Sequence, residues 1–356
     1  MNKITLSEIA KKLNISVATV SRVMNQKTPI TNDIHKEIIR LAKEGGYLQN
    51  PLNGNIGNIG FALIGLLNET TNPIEYNLGY NTSSFYGRLT FGLEKPVNEL
   101  NGNLLVKNFD KTPNIWKEID NFINTGNLSG LVVSVNGEFN DIQKFNNLLP
   151  TVLINHYEGF TPFIDTVASS NFAGIKKVFD YLISLGHEKI ALWKPSYKYI
   201  HDQNRLYSYY TCLDYYNISY KKIYCDYSEK TSVSILDRMD VEFQKYLKDK
   251  DKPTAIICTN DTFAYVLCQL AKKYNVRIPQ DLSITGFDDL DIISMPTPRI
   301  TSVNSHLSLM GKHAIHLLSK RINDNTREHI QITIEPELVI RDTVGKAQMT
   351  EKINFL

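Results

Sequence analysis

A short stretch near the start of the chain carries side chains that could contact a nucleic acid. Val20 and Val23 repeat at helical spacing within residues 17–25, which predicts a helix with one apolar side. The opposite side presents small and hydroxyl-bearing groups and one guanidinium: Val17, Ala18, Ser21 and Arg22. Because so short a helix is marginal by itself, neighbouring elements must hold it in place.

The positive charge of the chain is concentrated at the same end. Residues 1–50 contain eight Lys or Arg against four Asp or Glu, whereas the whole chain has a formal net charge of only +2. The remaining residues are therefore slightly acidic. A basic segment on such a body favours contact with nucleic acid at one end of the molecule.

Two further signals predict a helix before this surface and a tight turn between the two helices. Thr5 and Glu8 form a capping-box pattern at the start of the first helix. Asn14 marks its end, because Asn tolerates the left-handed backbone that such a turn requires. Ser16 then caps the second helix.

A third helix is expected from about residue 32 to residue 44. Thr31 is its expected cap, and the two glycines after residue 44 end it. Its apolar face is formed by Ile34, Ile38, Leu41 and Ala42. Three short helices with a turn between the first two predict a helix-turn-helix domain over residues 1–46, and an unrelated small helical bundle is the alternative.

The usual signatures of catalysis and metal binding do not occur. The four cysteines, at positions 212, 225, 258 and 268, have neither CxxC nor zinc-like spacing. The sequence contains no Ser-His-Asp arrangement at a recognisable elbow and no glycine-rich phosphate loop. We therefore expect no enzyme, no cofactor and no bound metal; turnover of a sugar would favour the alternative, a metabolic enzyme.

The patterns that direct a chain to or across a membrane are also missing. The longest apolar run, Ile59–Leu67, is far shorter than the roughly 20 residues that span a bilayer. Met1–Lys3 leads directly into a helical pattern rather than into a secretion signal. We expect a cytoplasmic protein without a membrane partner.

The body of the chain, residues 59–342, alternates apolar runs with amphipathic stretches in two series. The predicted strands are 59–67, 104–106, 131–135, 152–154, 166–168, 190–193, 223–225, 255–258 and 282–286. The predicted helices are 85–100, 115–124, 141–147, 173–185, 204–216, 233–248 and 262–274. This alternation predicts an α/β core of two lobes, with parallel sheets covered by helices on both faces. Ligands of such sheets bind beyond the carboxyl ends of the strands, which here points to the cleft between the lobes.

Several motifs resemble those of the LacI/GalR family of transcriptional repressors. The motifs are Ser16-x-x-Thr19-Val20-Ser21-Arg22-Val23, Leu185-Gly186-His187-x-x-Ile190-Ala191, Asn260-Asp261-x-x-Ala264 and Pro279-x-Asp281-Leu282-Ser283-Ile284-x-Gly286-Phe287-Asp288-Asp289. The resemblance extends over the head and most of the body. It implies a helix-turn-helix head on a two-lobed core like that of the periplasmic binding proteins.

The resemblance implies roles for the residues of the head. Val17, Ala18 and Arg22 would contact base edges in the major groove, where Arg pairs with guanine and small apolar groups contact the thymine methyl. A second group would bind phosphates and fix the register: Thr5, Ser16, Thr19, Ser21 and Asn25.

The resemblance also implies an effector site in the cleft, formed by Asn155, Arg205, Asn260 and Asp288. Sugar recognition combines such polar groups with aromatic faces. At the aromatic position of the return segment this chain has Leu307 instead. We expect other aromatic side chains to replace it: Phe85, Tyr86, Trp193 and Phe287.

The segment between head and body differs from the family pattern. Residues 47–58 are rich in Asn and Gly and read as a linker, without the Ala-Arg-x-Leu core of the usual hinge helix. Leu48 and Leu52 are the candidate minor-groove wedges. Residues 343–356 are expected to form a tail.

The function implied is sequence-specific repression of carbohydrate-utilisation genes by a homodimer on a palindromic operator. A sugar effector would release the operator DNA by shifting the lobes. Resemblance to members with short linkers and an Asn-Glu start to the first cleft loop, here Asn68-Glu69, implies a galactoside. The alternative within the family is a nucleobase or phosphorylated metabolite that acts as corepressor. A sugar-binding transport receptor is disfavoured by the attached head.

Overall fold

A computed structural model describes most of the chain. The described residues are 5–24, 33–44, 55–65, 83–135, 139, 142–155, 163–194, 200–225, 235–290, 298–323 and 328–348. Several expectations fall outside them, namely those on Asn25, Thr31, the two glycines after residue 44, the greater part of the linker, and Asn68-Glu69. The side chain of Arg22 is also outside the described set.

The head contains three helices: α1 (Leu6–Leu13), α2 (Val17–Met24) and α3 (Asp33–Glu44). The predicted capping box is present, since Glu8 Oε2 accepts the backbone N–H of Thr5 at 2.7 Å and Thr5 Oγ1 accepts that of Glu8 at 3.3 Å. Asn14 ends α1 in the left-handed region, with φ 51°. Ser16 Oγ caps α2 by accepting the N–H of Thr19 at 3.0 Å.

The core of the head is small and apolar. It is formed by Ile9, Ala10, Val20, Val23, Ile38 and Ala42, with Leu41 packed at its edge. One expectation was wrong, because Ile34 has half of its surface exposed. Ile34 lies in the first turn of α3, and the core of the described head extends only to side chains one and two turns further along.

The first lobe is built on a parallel sheet. Its strands are β1 (Asn58–Ile64), β2 (Asn103–Phe109), β3 (Leu128–Val135), β4 (Thr151–Ile154) and β5 (Asp165–Ser169), covered by α4 (Ser83–Glu99) and α5 (Ile115–Gly126). The helix expected before residue 147 is a 3-10 helix, Ile142–Asn147. Buried apolar residues lie on both faces of the sheet, which agrees with the near-continuous apolar runs in the sequence.

The second lobe repeats this plan. Its strands are β6 (Ile190–Trp193), β7 (Ile223–Tyr224), β8 (Ala255–Cys258), β9 (Ser283–Phe287) and β10 (Thr301–Asn304). The helices are α6 (Asn171–Ser184), α7 (Ile200–Tyr215), α8 (Ile235–Lys248) and α9 (Asp261–Lys273). The prediction gave both ends of β6 and β8 correctly.

Three elements at the end of the chain return to both lobes: α10 (Leu307–Asn323), β11 (Gln331–Ile334) and β12 (Glu337–Val339). The sheet orders are β11-β5-β4-β3-β1-β2 and β12-β10-β9-β8-β6-β7. Strand β11 joins the first sheet parallel to β5, whereas β12 lies antiparallel to β10 in the second. The sequence prediction missed α10 and β11. In the described chain, segments near residues 170, 305 and 335 therefore connect the lobes.

Helix α10 packs closely on α4 of the first lobe. A Cβ on Gly311 would lie 2.6 Å from the carbonyl carbon of Gly92, and one on Gly92 would lie 2.3 Å from the carbonyl oxygen of Ser308. Glycine at both positions lets the two helices approach to backbone contact. The return of the chain to the first lobe is thus fixed by packing.

Both expected boundaries of the body shift outward. Ile56 is buried, and its N–H donates to Leu100 O at 2.9 Å, so residues 55–58 pack with the first lobe rather than with the linker. Thr343 is fully buried, and its hydroxyl donates to Ile284 O at 2.7 Å. Ala347 N donates to Leu185 O at 3.0 Å. Residues 343–347 therefore pack with the second lobe, because their backbone and side-chain groups pair there.

No helix in the described part of the chain is both long enough and apolar enough to cross a membrane.

Candidate functional site

The outer face of α2 is open to solvent. Val17 is 45% exposed, Ala18 is exposed, and Ser21 is half-buried. The hydroxyls of Ser16 and Thr19 lie 2.8 Å apart at the start of the helix, and the exposed Thr5 lies at the start of α1. The structure thus brings the described members of the predicted DNA-contacting set to the two helix starts and the exposed face of α2.

Glu8 complements this arrangement. The backbone N–H and the hydroxyl of Thr5 donate to its carboxylate, and both bonds lower the pKa of Glu8. The negative charge lies in the first turn of α1, where it is stabilised by the helix dipole. The carboxylate of Glu8 also accepts a hydrogen bond from the Thr5 hydroxyl, which is one of the expected phosphate contacts.

The predicted effector residues follow the carboxyl ends of the strands. Asn155 comes directly after β4 of the first lobe. Asn260 follows β8, and Asp288 follows β9, in the second lobe. Arg205 projects from α7, the helix that follows β6. The fold therefore places the four polar candidates at the strand edges where ligands of α/β sheets bind.

Arg205 and Asp288 form a buried ion pair. Arg205 Nη2 lies 2.8 Å from Asp288 Oδ1, and Nη1 lies 3.2 Å from Oδ2. The two side chains are only 5% and 9% exposed. Arg205 Nε also donates to Asn171 Oδ1 at 3.0 Å, and Nη1 donates to the main-chain oxygen of Thr259. This fork-like geometry is strong and directional.

The ring of Phe287 packs against the guanidinium of Arg205 and does not line the candidate effector site. Its ring centroid lies 3.8 Å from the Cζ atom of Arg205, and the side chain is fully buried. The expectation that its ring contacts an effector was wrong, because its ring lies against the guanidinium inside the lobe.

Asp288 also links the ion pair to a connection between the lobes. Ser305 Oγ donates to Asp288 Oδ1 at 2.9 Å. Asp288 has φ 97°, and His306, which follows Ser305 just before α10, has φ 54°. Left-handed backbone at these residues is uncommon and persists only where the surroundings hold it. The position of Asp288 is thus coupled to the segment that leads into the first lobe.

The other two polar candidates have different partners. Asn155 Nδ2 lies 3.1 Å from His201 Nε2, which is on α7 of the second lobe. This contact bridges the two lobes. Asn260 caps α9, with Oδ1 accepting the N–H of Phe263 at 3.0 Å.

The aromatic candidates divide into two groups. Phe85 and Tyr86 are half-buried in the first turn of α4, where their rings make an edge-on contact with centroids 5.1 Å apart. Trp193 is fully buried, and its ring stacks on Tyr224 at 5.6 Å. The expectation for Trp193 was wrong, because its ring packs within the core of the second lobe and presents no face to a ligand.

Charged residues that sequence reasoning missed lie next to the candidate site. Lys194, Asp202 and Asp261 are almost fully buried. Burial raises the pKa of Asp202 to about 6 and that of Asp261 well above its ordinary value. The sequence signal for Asp261 was its place in the Asn260-Asp261 motif. Nothing in the pattern around the other two indicated burial.

The ring of His187 connects two segments of the second lobe. Its Nδ1 lies 2.8 Å from Thr254 Oγ1, and its Nε2 lies 3.0 Å from Gly345 O. Burial lowers the pKa of His187. The ring therefore joins the turn after α6 to the last segment of the second lobe.

Among the described residues, no group of three or more His, Cys, Asp or Glu side chains is arranged to hold a metal ion. The four cysteines form no disulfide bond.

Comparison with known families agrees with both parts of the molecule. Residues 5–50 match the model described as bacterial regulatory proteins, lacI family, and residues 179–344 match a periplasmic binding protein-like domain. A helix-turn-helix head on such a core defines a DNA-binding transcriptional repressor. The chain belongs to the LacI/GalR family of these regulators. The family is not enzymatic, and its repressors bind operator DNA and small-molecule effectors.

Full-length relatives support this assignment. The chain is 25% identical to the HTH-type transcriptional regulator DegA of Bacillus subtilis, over 96% of this chain and 98% of that protein. It is 23% identical to the repressor PurR of Vibrio vulnificus, over 96% and 99%. The ribose operon repressor of Haemophilus influenzae is 24% identical over 96% and 98%.

Solved structures share the fold. The lac repressor dimer bound to operator and the anti-inducer ONPF superimposes with a TM-score of 0.66 at 18% identity, over 97% of this chain and 100% of that one. The CelR–cellobiose complex gives a TM-score of 0.65 at 18% identity, over 96% and 100%.

Proposed function

We propose that the chain represses carbohydrate-utilisation genes in the cytoplasm, as a homodimer that binds a near-palindromic operator and is released by a sugar. The head supports the DNA-binding part through the exposed face of α2, at the end of the molecule where positive charge accumulates. One helix this short reads few base pairs, so two heads on adjacent half-sites are needed for specificity.

The buried Arg205–Asp288 pair carries the effector proposal. A guanidinium offers several donors in one plane, and a carboxylate accepts from two hydroxyls. Hydroxyl groups on adjacent carbons of a sugar can accept hydrogen bonds from the guanidinium and donate hydrogen bonds to the carboxylate. In the proposed complex, ring hydroxyls bind Arg205, Asp288 and Asn155, while Phe85 and Tyr86 contact the apolar side of the ring. A galactoside is the first candidate.

The proposed release mechanism is a population shift between two lobe arrangements. A sugar that bonds to Asp288 changes the balance of its bonds with Arg205 and Ser305. Because Ser305 precedes α10 of the first lobe, the lobes rotate relative to each other. The two heads of the dimer then no longer fit adjacent half-sites.

Thermal melting against a panel of sugars tests the effector part. A sugar at 100 times its Kd should add about 2.7 kcal/mol to the free energy of unfolding. Arg205→Ala should abolish that gain. Arg277→Ala, which removes an exposed arginine paired with Asp281 in the same lobe, should keep it. A gain that persists in Arg205→Ala would contradict the proposed site.

The second candidate is a nucleobase or phosphorylated metabolite that acts as corepressor. The full-length relatives include a repressor named PurR as well as a ribose operon repressor, and this similarity supports the second candidate. Hypoxanthine, guanine and a sugar phosphate belong in the same melting panel. Stabilisation by one of these and by no sugar would replace the sugar effector and leave the DNA-binding proposal intact.

Selection from random duplex DNA tests the operator part. The enriched sequence should be a near-palindrome. Arg22→Ala should weaken binding to it by roughly 10- to 100-fold, the usual effect of losing a base-reading arginine. Arg299→Ala, in an exposed ion pair of the second lobe, is the control. Equal affinity of the unaltered protein for selected and random DNA would contradict sequence-specific binding.

A further inference from the structure

Leu290 is held by both lobes. It follows β9 of the second lobe by three positions, and its backbone N–H donates at 2.7 Å to Oδ2 of Asp261, the first residue of α9. Its side chain is only 4% exposed and belongs to the apolar core of the first lobe. The backbone and the side chain of one residue are therefore fixed on opposite sides of the junction between the lobes.

The core that receives Leu290 is otherwise formed by the first lobe and the elements that return to it. Its other described members lie in the first lobe, as Phe61 and Leu93 do, or in α10 and β11, as Leu318 and Ile334 do. Among the described residues, Leu290 is thus the one apolar side chain that the second lobe contributes to this core.

The turn that carries Leu290 is bonded to the second lobe. Asp288 N–H donates to Val303 O at 2.8 Å, and Asp289 N–H donates to Ser302 Oγ at 3.2 Å. Asp288 and Asp289 both have a left-handed backbone, with φ 97° and 51°, which restricts the turn to a narrow range of shapes. If the lobes rotate relative to each other, the turn follows the second lobe, and the Leu290 side chain shifts within the core of the first.

A close-packed core accommodates such a shift poorly. Protein interiors have few voids, so a displaced side chain loses its contacts or meets water. Exposing a leucine that was fully buried changes a population ratio by roughly 10- to 100-fold. The seated side chain of Leu290 thus stabilises the present arrangement of the lobes against a rotated one.

We propose that Leu290 is a positioning residue that sets the ratio of the two lobe arrangements, and with it the concentration of effector that releases the operator. This rests on the release mechanism proposed above. Asp288, the proposed effector contact, precedes Leu290 by two positions in the same turn. A ligand that displaces Asp288 therefore also displaces the side chain that holds the lobes in their present arrangement. Leu290 needs no contact with the effector or the DNA to act in this way.

The test compares Leu290→Ala with Leu318→Ala in the full chain. Leu318 is fully buried in the same core, and a Cβ on Gly130 of β3 would lie 3.0 Å from its Cδ1, so its truncation affects contacts within the first lobe. Both variants should lower the melting temperature. The Kd for the selected operator and the Kd for the best sugar are then measured at a temperature where both variants are folded.

The ratio of these two Kd values separates a positioning role from a structural one. When each ligand binds one of two arrangements, the ratio of the Kd values follows the ratio of the arrangements. Leu290→Ala should change it by roughly 10- to 100-fold, and Leu318→Ala by less than about twofold. If Leu290→Ala does not fold, Leu290→Val and Leu318→Val replace the pair, with an expected change of roughly fourfold for Leu290→Val.

Two outcomes would overturn the inference. The first is an unchanged ratio in the Leu290 variant while the sugar still releases the unaltered protein from its operator, which would leave the proposed function intact. If no sugar releases the unaltered protein, the proposed function fails, and small-angle scattering decides on Leu290. Leu290→Gln, whose amide cannot be paired in an apolar core, should then change the radius of gyration, whereas Leu318→Ala should not. Equal radii for these two variants are the second outcome.

Discussion

Arg88 Nη1 donates a hydrogen bond of 2.7 Å to the main-chain oxygen of Asp289, and the two residues belong to different lobes. Arg88 lies on α4 of the first lobe, whereas Asp289 follows Asp288 in the second. The Asp289 carboxylate is held by Arg341 at 2.6 Å and by Asn304 Nδ2 at 3.1 Å. A helix of one lobe is thus bonded directly to the turn that carries the proposed effector contact in the other.

Arg88→Ala should therefore loosen the present arrangement of the lobes. Loss of this partly buried, charge-assisted bond should lower the free energy of unfolding by about 1–2 kcal/mol. The radius of gyration in small-angle scattering should increase, because the two lobes lose a direct connection. Lys95→Ala, at an exposed position of the same helix, is the control. Equal radii and stabilities for the two variants would show that Arg88 does not hold the lobes together.

Gly286→Ala should destabilise the second lobe. A Cβ at this position would lie 2.1 Å from Asp261 Oδ1. Asp261 cannot move aside, because Leu290 N and Ser302 Oγ fix its carboxylate. The expected loss is about 2–3 kcal/mol, as for other overpacked interiors.

Gly87→Ala is the matched comparison for that substitution. Gly87 lies in α4, and among the described residues no heavy atom outside its chain neighbours and its own helix backbone comes within 4 Å of the added methyl group. It should gain about 0.5–1 kcal/mol from better helix propensity. Urea denaturation measures both variants. Similar values for the two alanines would mean that contact with Asp261 does not constrain residue 286.

Asp202→Asn should stabilise the protein at neutral pH. Burial raises the pKa of Asp202 from 3.8 to about 6; the side-chain hydrogen bond with Thr259 and the charges of Arg205 and Lys194 oppose the rise, and Asp288 adds to it. The folded state therefore holds the proton more tightly than the unfolded chain. Ionisation opposes folding from about pH 4 upward, and the cost reaches its full value of about 3 kcal/mol above about pH 6.

Urea denaturation at several pH values checks this sign. The variant should exceed the unaltered protein by about 2–3 kcal/mol at pH 7.5, and the difference should vanish near pH 4. Asp214→Asn should change stability by less than about 0.5 kcal/mol at either pH. A destabilised Asp202→Asn at pH 7.5 would mean that the carboxylate is stabilised by partners.

Thr5→Ala should weaken the first helix of the head. The substitution removes the hydroxyl that accepts Glu8 N–H and donates to Glu8 Oε2. Loss of an N-cap of this kind costs about 1 kcal/mol. Amide hydrogen exchange in α1 of the full chain should accelerate about fivefold. Ser7→Ala, an exposed position in the same helix, should not accelerate it, and equal rates in the two variants would exclude a capping role for Thr5.

The sequence alone determined the local elements. The Thr5–Glu8 capping box, the left-handed Asn14 and the strands Ile190–Trp193 and Ala255–Cys258 were all predicted as they occur. Each depends on residues within a few positions of one another, so capping chemistry and apolar spacing are sufficient. The family motifs likewise located Arg205 and Asp288, but not the bond between them.

Tertiary structure decided what depends on distant parts of the chain. Helix Leu307–Asn323 returns to the first lobe, Trp193 turns into the core instead of toward a ligand, and Thr343 packs with Thr301 and Ile284 instead of starting a tail. Asp202 is buried beside Arg205 although its neighbours in sequence are polar. Burial and pairing of this kind arise only when strands and helices far apart in sequence pack together. The local spacing of apolar residues does not show which elements will pack against each other.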